Sequence, residues 1–499
     1  MKALLQALRD VVGDRHVLTR DSEGGIRTND LGAWENDWRK RHRGHALAVV
    51  QPGNTQEVAR VVRLCAQRQA DLGISIVPQG GNTGLVMGST PDASGQQIVL
   101  NLQRMNAVRV LDGANLTLTA EAGCVLQNLQ GVANQAGFLF PLSLAAQGSC
   151  TLGGNLGTNA GGTQVLRFGT ARDLCLGLEV VTAQGDIWDG LTGLRKDNTG
   201  YDLRHLMIGS EGTLGIITAA TLKLYPVPAA RLTAWAAVPS LPQAIELLGL
   251  AHRHLGAGLT GFELMGQFAL SLVDKHFPQL RVPLFTGSPW CVLLENSDHE
   301  SQAHAKGQFE RLLEAAVAQG CVSDAVVAQS LTQAQALWHI RESISLAQSQ
   351  EGLNIKHDIS LPVSAIPDFV ADTDAALARA LPGVRIVNFG HLGDGNLHYN
   401  VQTPEGADAA RFLRESEDLV NRLVFDAVRR FNGSISAEHG IGLLKAEKLT
   451  QYKSPVAINM MRAIKQALDP GNLFNPGCVL TRPAEFQPPI TCKEPSCPH

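Results

Sequence analysis

Two stretches rich in glycine and small polar residues constrain the fold of this chain more than any other feature of its sequence. They read QGGNTGLVMGS at residues 79–89 and PLSLAAQGSCTLGGNLGTNAGG at residues 141–162. The first is too rich in glycine for regular structure, and glycine lets a backbone adopt positive φ or approach a ligand closely. Both stretches predict loops whose N–H groups could bind a pyrophosphate, with simple connecting loops as the alternative. The polar side chains available there are Asn82, Thr83, Ser143, Ser149, Thr151, Asn155, Thr158 and Asn159.

Length and charge narrow the class of protein. A chain of 499 residues is too long for one hydrophobic core and predicts two or three domains. The net charge of −4, with acids and bases mixed along the chain, excludes nucleic acid as an expected partner. The nine cysteines are scattered without a CxxC pair, which indicates reduced thiols. Cys492 and Cys497 lie in a Pro-rich tail, where a metal or disulfide clip and a disordered tail are both open.

The pattern of strands and helices predicts an α+β protein of two domains and a tail, at residues 1–227, 228–480 and 481–499. The first region shows hairpin signals at Asp112-Gly113 and near Gln184-Gly185, and prolines mark its end at 226–228. The second region predicts an antiparallel sheet with helices, including single helices at about 406–431 and 443–468. A lone GxGxxG at 256–261 follows a helix and precedes a strand, the reverse of a dinucleotide fingerprint, and predicts only a turn.

The segment HLGDGNLHYN at 391–400 could carry a metal site. If Asp394-Gly395 forms a two-residue turn, His391 faces His398 across the hairpin, and Asn400 points the same way. Glu438 in SAEHGIG, at 436–442, could complete a set of two histidines and one carboxylate with open metal positions. Solvated histidines on a surface hairpin are the alternative, and a zinc hydrolase is a rival function.

A second polar set could bind carboxylates. Arg341 and Ser345 lie at i and i+4 in WHIRESIS, on one face of a predicted helix, and Lys356 follows in a short strand. Arginine offers a bidentate fork and lysine a point charge for such a ligand. On composition alone, an exposed face with an ordinary salt bridge to Glu342 or Glu351 explains these residues better.

Taken together, six segments resemble the FAD-linked oxidase superfamily with the vanillyl-alcohol-oxidase fold, in its D-2-hydroxy-acid dehydrogenase branch. They read PQGGNTGL, SCTLGGNLGTNAGG, GSEGTLGIIT, GHLGDGNLHYN, SAEHGIG and LDPGNLFNPG, and the likeness runs from about residue 15 to 480. QGGNTG at 79–84 and Asn400 favour the D-2-hydroxyglutarate dehydrogenases over their D-lactate and glycolate relatives. Ser345 departs from the threonine expected in the branch but keeps the hydroxyl.

The resemblance implies an FAD-binding α+β domain, followed by an antiparallel-sheet substrate or cap domain with C-terminal helices. It implies Zn²⁺ or another divalent metal on His391, His398 and Glu438, and His439 as the general base. A pocket for a 2-hydroxy acid would use Arg341, Ser345, Lys356 and Asn400. The implied FAD-binding residues are Pro78, Gln79, Gly80, Gly81, Asn82, Thr83, Gly84, Leu85, Pro141, Ser143, Gly148, Ser149, Thr151, Gly154, Asn155, Thr158, Asn159, Gly161, Gly162, Glu211, Gly212, Gly215, Ile216 and Asn475.

Three expectations concern partners and location. The sequence has no histidine between residues 46 and 204, so FAD bound there is expected to be non-covalent. It shows no Fe–S or haem motif, so a separate acceptor is expected, an electron-transfer flavoprotein or a quinone-linked protein, and a homodimer is one option for assembly. A cytoplasmic location is the default, because no run of eighteen apolar residues occurs and the N-terminus lacks a signal-peptide core.

Overall fold

A computed structural model describes residues 1–20, 30–40 and 42–482 of the chain. The predicted tail, with Cys492 and Cys497, lies outside these residues except for its first two positions. The α+β class is confirmed, since helices and mainly antiparallel strands fill both regions. The predicted boundary between residues 227 and 228 stays a prediction.

The first region contains two sheets and a small two-stranded ribbon. Its strands are β1 (Val17–Leu18), β2 (Ala46–Val50), β3 (Ser75–Gln79), β4 (Gln97–Asn101), β5 (Val108–Asp112), β6 (Thr117–Glu121), β7 (Phe138–Leu139), β8 (Cys175–Val181), β9 (Ile187–Gly190), β10 (Ile216–Lys223) and β11 (Tyr225–Pro226). Its helices are α1 (Lys2–Val12), α2 (Gly32–Glu35), α3 (Thr55–Leu72), α4 (Leu126–Gln135), α5 (Leu152–Gly157), α6 (Val165–Phe168) and α7 (Leu203–Met207).

Local sequence explains much of this region. Asn54 caps α3 by accepting a hydrogen bond from the Glu57 N–H, and the apolar face of the helix, including Val58 and Val62, packs on the first sheet. That sheet has the order β1-β2-β4-β3, with parallel pairs on both sides of β4. The second sheet has the order β5-β6-β10-β8-β9, and both of its predicted hairpins are present.

The second region is built on one antiparallel sheet of eight strands. Its strands are β12 (Ala230–Val238), β13 (Leu259–Gly266), β14 (Trp290–Asp298), β15 (Asp324–Val327), β16 (Asn354–Ile355), β17 (Asp358–Ser360), β18 (Arg385–His391) and β19 (Asn396–Gln402). Its helices are α8 (Leu241–Leu255), α9 (Gln267–His276), α10 (Gln302–Ala318), α11 (Leu331–Glu351), α12 (Ile366–Ala380), α13 (Ala409–Arg430), α14 (Ala446–Tyr452) and α15 (Pro455–Leu468).

Helices cover both faces of this sheet. Alternate residues of β14 separate into two cores, because successive side chains of a strand point to opposite faces. Leu294 packs in the core that includes α8, α10, α12 and α13, whereas Leu293 packs in the core beneath α9 and α11. The segment at 256–258 is a short 3₁₀ turn between α8 and β13, which confirms that GAGLTG is no dinucleotide fingerprint.

The prediction of a single helix at 443–468 was wrong. The chain forms α14 and α15 instead, separated by Lys453 and Ser454, with Pro455 at the first position of α15. Proline cannot donate the hydrogen bond that a continuous helix requires, and it disfavours helical geometry at the residue before it. Pro455 therefore ends one helix and begins the next.

Candidate active site

The two glycine-rich stretches meet and line one cleft, together with the loop that precedes β10. The cleft encloses about 970 Å³ of empty space, which includes space open to solvent. Fifteen of the predicted FAD-binding residues line it, namely Pro78, Gln79, Gly80, Gly81, Asn82, Thr83, Gly84, Thr151, Gly154, Asn155, Thr158, Glu211, Gly212, Gly215 and Ile216. Their roles in binding stay predictions, but the structure brings them together.

Glycine is required where the loops cross. A Cβ at Gly80 would clash with the Thr151 hydroxyl, and one at Gly81 would clash with the Ser149 carbonyl oxygen. Backbones that pass this closely place many N–H groups along one cleft. The same wall holds two buried polar atoms without a protein hydrogen bond, Thr151 Oγ1 and Asn155 Nδ2. Because buried polar groups are normally paired, these two atoms fit a polar ligand such as FAD.

The other predicted cofactor residues lie outside the cleft lining. They are Leu85, Pro141, Ser143, Gly148, Ser149, Asn159, Gly161, Gly162 and Asn475. Asn475 joins two walls instead, since its Nδ2 donates to the carbonyl oxygens of Gly88 at 2.6 Å and Glu211 at 2.9 Å. Sequence reasoning missed other lining residues, namely Val86, Gly88, Ser89, Leu102, Ala122, Cys150, Gly153, Gly157, Ser210 and Ile217. Several of these residues lie within or beside the glycine-rich segments, and that proximity was the sequence signal that could have identified them as lining residues.

The hairpin that carries the two histidines has a different register from the predicted one. His391 pairs with Asn396, and His398 pairs with Phe389, because Leu392–Asp394 forms a 3₁₀ turn closed by Gly395 at φ +83°. The error is two residues, and side chains alternate between faces with a period of two. The rings of His391 and His398 therefore still share a face, with centroids 5.6 Å apart.

His391, His398 and Glu438 come together as the sequence predicted. Each offers a ligand atom, and these atoms lie within 4.8 Å of one another, close enough to bind one ion. His391 Nε2 lies 3.9 Å from a Glu438 oxygen. Burial raises the pKa of Glu438 to about 7. Burial lowers the pKa of His398 well below its ordinary value, which favours the neutral, metal-binding form of the imidazole.

A buried carboxylate that the sequence analysis missed holds His391 in place. Glu263 lies opposite His391 on the neighbouring strand β13, and its carboxylate is 2.6 Å from His391 Nδ1. Burial disfavours the imidazolium, but Glu263 outweighs it and raises the pKa of His391 to about 9. With Nδ1 engaged by Glu263, Nε2 is the nitrogen directed toward Glu438, as in histidines that bind metals through one nitrogen and a carboxylate through the other.

A second missed carboxylate, Asp358, organises the other half of the site. It lies opposite His398 on β17, and its oxygens accept hydrogen bonds from the backbone N–H groups of Glu438 and His439, both at 2.8 Å, and from Asn396 Nδ2 at 2.9 Å. Burial opposes its ionisation, but His439 and His398 hold the pKa of Asp358 well below its ordinary value. Asp358, His398 and His439 also converge within metal-binding distance, but most of the acceptor capacity of Asp358 is already used.

His439 links the two halves of the site. It lines the glycine-rich cleft, while its Nδ1 lies 3.6 Å from Asp358. Burial lowers the pKa of His439, with smaller contributions from nearby Lys445, Arg39 and Lys356. Glu438, the residue before it, packs so closely on Gly161 that a Cβ there would clash with its carboxylate. The candidate metal ligands and the candidate cofactor cleft are therefore adjacent.

The predicted carboxylate-binding residues are only partly assembled. Arg341 is buried and donates from Nε and Nη2 to one oxygen of Glu263, at 2.8 and 2.7 Å. Asn400 is buried too, bonded to Gln348 and to the His357 N–H. Lys356 lies close enough to His439 to affect its pKa, whereas Ser345 is exposed on α11. Of the four predicted residues, Ser345 is exposed, and Arg341 and Asn400 are bonded to other side chains. Their role in binding a carboxylate stays a prediction.

Comparisons with known proteins give the chain its relatives. Family models for an FAD binding domain and for the C-terminal domain of FAD linked oxidases match residues 46–190 and 227–479. A D-2-hydroxyglutarate dehydrogenase of Xanthomonas citri pv. viticola is 41% identical over 450 residues, covering 90% of this chain and 92% of that protein. A provisionally named D-lactate dehydrogenase of Schizosaccharomyces pombe is 35% identical over 481 residues, covering 95% and 89%.

Solved structures support the fold. The structure of p-cresol methylhydroxylase with substrate bound aligns with a TM-score of 0.72 at 15% identity, covering 96% of this chain and 97% of that one. At this identity the likeness concerns the fold alone. It confirms the predicted vanillyl-alcohol-oxidase-type architecture.

Proposed function

The chain belongs to the FAD-linked oxidase family, and from this premise we propose that it oxidises a D-2-hydroxy acid, with D-2-hydroxyglutarate as the first candidate and 2-oxoglutarate as its product. The observation that carries the proposal is the position of His439. It lines the glycine-rich cleft, and its ring nitrogen lies within 4.8 Å of one on His398, a member of the His391, His398 and Glu438 cluster. A substrate at this junction would contact a proton acceptor, a cation site and a redox cofactor at once.

The cleft would hold FAD without a covalent bond to a histidine of its glycine-rich loops, since no histidine occurs between residues 46 and 204. Bound FAD supplies the acceptor for the two electrons that leave C2 of the substrate. Thr151 Oγ1 and Asn155 Nδ2 would pair with polar atoms of the cofactor, which explains why both are buried without a protein partner. Membership of the FAD-linked oxidases does not favour the zinc hydrolase alternative.

We propose that His391, His398 and Glu438 hold a divalent metal. Two imidazoles and one carboxylate form a set that leaves metal positions open for a substrate. Such an ion supplies Lewis acidity toward the 2-hydroxyl and the adjacent carboxylate. The contribution of the chain is to orient the ligands, and Glu263 does this for His391 through the 2.6 Å contact at Nδ1.

His439 is our candidate for the general base. Oxidation of a hydroxy acid removes a proton from the 2-hydroxyl as the hydride leaves C2, and a neutral imidazole can accept that proton. Asp358 accepts a hydrogen bond from the His439 backbone N–H and lies beside its ring, so it can fix the position of the ring and stabilise its protonated form. The proton leaves the substrate oxygen and resides on His439 until solvent removes it.

The diacid is favoured over D-lactate by the cations around this junction. Lys356 lies near His439. Arg341 pairs with Glu263, the same carboxylate that contacts His391. Asn400 faces the same side of the sheet as His398 and could support a second carboxylate. D-lactate or glycolate oxidation is the alternative within the same chemistry, and the fission-yeast relative supports keeping it.

Electrons from the reduced cofactor would pass to a separate protein, an electron-transfer flavoprotein or a quinone-linked acceptor. The absence of Fe–S and haem motifs from the sequence supports this proposal. Among the helices that the structure describes, none is both long and apolar enough to cross a membrane. A cytoplasmic location and a homodimer are further proposals, which fractionation and sedimentation would test.

The experiment that tests the function is an anaerobic visible spectrum before and after addition of D-2-hydroxyglutarate, with D-lactate in a parallel cuvette. We expect flavin bands that bleach with the diacid and much less with lactate. Bleaching mainly with lactate would keep the reaction and overturn the substrate. A protein that stays colourless after incubation with FAD and removal of the unbound cofactor would overturn the proposed cofactor.

A further inference from the structure

A second cavity reaches the candidate active site, since Glu438 is among the residues that line it. It has about 1460 Å³ of empty space and lies behind the segment 434–441. Its inner end is lined by Glu438 and Glu211, and its outer part by α13 and the α14–α15 junction, including Arg429 and Lys453. Thr158 and Glu211 line both cavities, so only a thin wall of side chains separates them.

The charges along this second cavity are distributed unevenly. Among the described residues that line it, the cations are Arg172, Arg429 and Lys453, and the last two are exposed. The carboxylates are at the inner end, where both oxygens of Glu211 accept backbone N–H groups, from Ile441 at 2.8 Å and Gly442 at 2.7 Å. The outer part of the cavity is therefore positive.

A neighbouring groove shares Arg429 with this cavity and carries two further acidic groups, Asp418 and Asp426. Asp426 in that groove accepts a hydrogen bond from the Tyr452 hydroxyl at 2.9 Å, and Asp418 lies 3.9 Å from Lys448. Neither aspartate lines the second cavity. Lys453 lines the cavity but not the groove, so it adds positive charge at the mouth away from these two carboxylates.

We propose that this cavity is the passage by which the hydroxy acid reaches the active site, and that Arg429 and Lys453 are specificity-determining residues that attract dianions into it. The inference rests on the proposed function. The glycine-rich cleft is assigned to the cofactor, so a small acid needs a separate approach to Glu438. The second cavity provides one that ends at the candidate metal ligand.

The charge of the rim gives the passage its selectivity. A mouth lined by one sign of charge raises the local concentration of the opposite ion and speeds its association by about 10- to 1000-fold. The effect on a dianion exceeds that on a monoanion, because the interaction energy scales with the product of charges. It also weakens with salt, since exposed charges are screened over about 8–10 Å at ordinary ionic strength. Arg429 and Lys453 should therefore favour D-2-hydroxyglutarate over D-lactate before either acid contacts the active site.

The test is anaerobic stopped-flow reduction of the flavin in the holoenzyme, at low and high salt, for three proteins. The double variant R429E/K453E is compared with the wild type and with R430E/K448E, in which two cations outside this cavity receive the same change of charge. A second pair, R429Q/K453Q and R430Q/K448Q, removes the charges without reversing them, in case the first pair does not fold.

We expect the second-order rate constant for D-2-hydroxyglutarate to fall at least tenfold in R429E/K453E at low salt, and less in the glutamine variant. The limiting rate at saturating substrate should stay unchanged, and the loss should shrink at high salt and for D-lactate. An equal fall in this rate constant in R430E/K448E, or a fall that does not depend on salt, would overturn the proposal that the cavity is the substrate passage. If neither acid reduces the flavin of the wild-type protein, the proposed function is refuted instead. The two failures are therefore distinct.

Discussion

Replacement of Glu263 by glutamine tests the organisation of the candidate metal site. The Glu263 carboxylate is fully buried and holds two cationic partners, His391 Nδ1 at 2.6 Å and Arg341 Nη2 at 2.7 Å. Removing one partner of a buried ion pair costs about 3–5 kcal/mol. Glutamine keeps the shape and one acceptor, so we expect E263Q to lose less than this, about 2–3 kcal/mol of unfolding free energy.

The same substitution should weaken metal binding. Loss of a carboxylate that orients a ligating histidine reduces metal affinity by about 10- to 100-fold, or about 1.4–2.7 kcal/mol. Zn²⁺ affinity is measured by competition with a chromophoric chelator, and stability by urea titration of the same preparations. Both measurements are needed, because a merely destabilised protein would keep its affinity once folded.

Glu295 provides the matched control. It is a buried glutamate on the adjacent strand β14, and its partners are neutral, Thr260 Oγ1 at 2.9 Å and Trp338 Nε1 at 3.1 Å. E295Q should lower stability somewhat and leave Zn²⁺ affinity unchanged. If E263Q binds Zn²⁺ as tightly as E295Q, Glu263 does not position His391 for a metal, and our reading of the site is wrong.

Three further outcomes are expected. Gly81→Ala should yield protein without bound FAD, seen as loss of visible absorption, because its Cβ would meet the Ser149 carbonyl, whereas Gly131→Ala in α4 has open space and should keep the cofactor. Lys356→Gln should raise KM for D-2-hydroxyglutarate at least tenfold more than KM for D-lactate, and equal changes would contradict a diacid pocket. Burial opposes ionisation of Glu351, but hydrogen bonds from Lys275, His276 and Arg385 hold its pKa at about 2. Since this lies below the unfolded value of about 4.3, the shift corresponds to about 3 kcal/mol, which solvent screening of this partly exposed group reduces to about 2 kcal/mol. This stability difference between wild type and E351Q should be present at pH 7 and shrink as pH falls from about 4.3 toward 2. Urea titrations at several pH values measure it, and a difference that grows on acidification would refute the sign.

Several elements could be predicted because their signals are local. The cap at Asn54, the hairpins of the first region and the glycine-rich loops depend on residues within a few positions of one another. The histidine hairpin shows the limit of such signals. The predicted register was wrong by two residues, because the turn begins at Leu392 rather than at Asp394. The predicted face was still right, because a shift of two residues leaves each side chain on the same face. The break at Pro455 had a local signal that was overlooked.

The two carboxylates behind the histidines had no local signal. Glu263 is 128 residues from His391 in sequence, and it reaches His391 only because β13 and β18 are neighbours in the sheet. Asp358 is paired with His398 in the same way, through β17 and β19. Strand order depends on the packing of the whole sheet, so no motif near either carboxylate could identify its partner.

The sequence by itself determined the residue types of the site, the glycine-rich loops and the family resemblance, since these depend on composition and short spacing. Only the tertiary structure decided that Glu438 packs on Gly161, that His439 lines the same cleft as Gly80 and Gly81, and that Arg341 pairs with Glu263. These contacts join segments that lie far apart in the sequence, 78 residues apart for Arg341 and Glu263 and more for the others. The physical reason is that the type of each side chain sets its chemistry, whereas the packing of the hydrophobic cores sets which side chains lie next to one another.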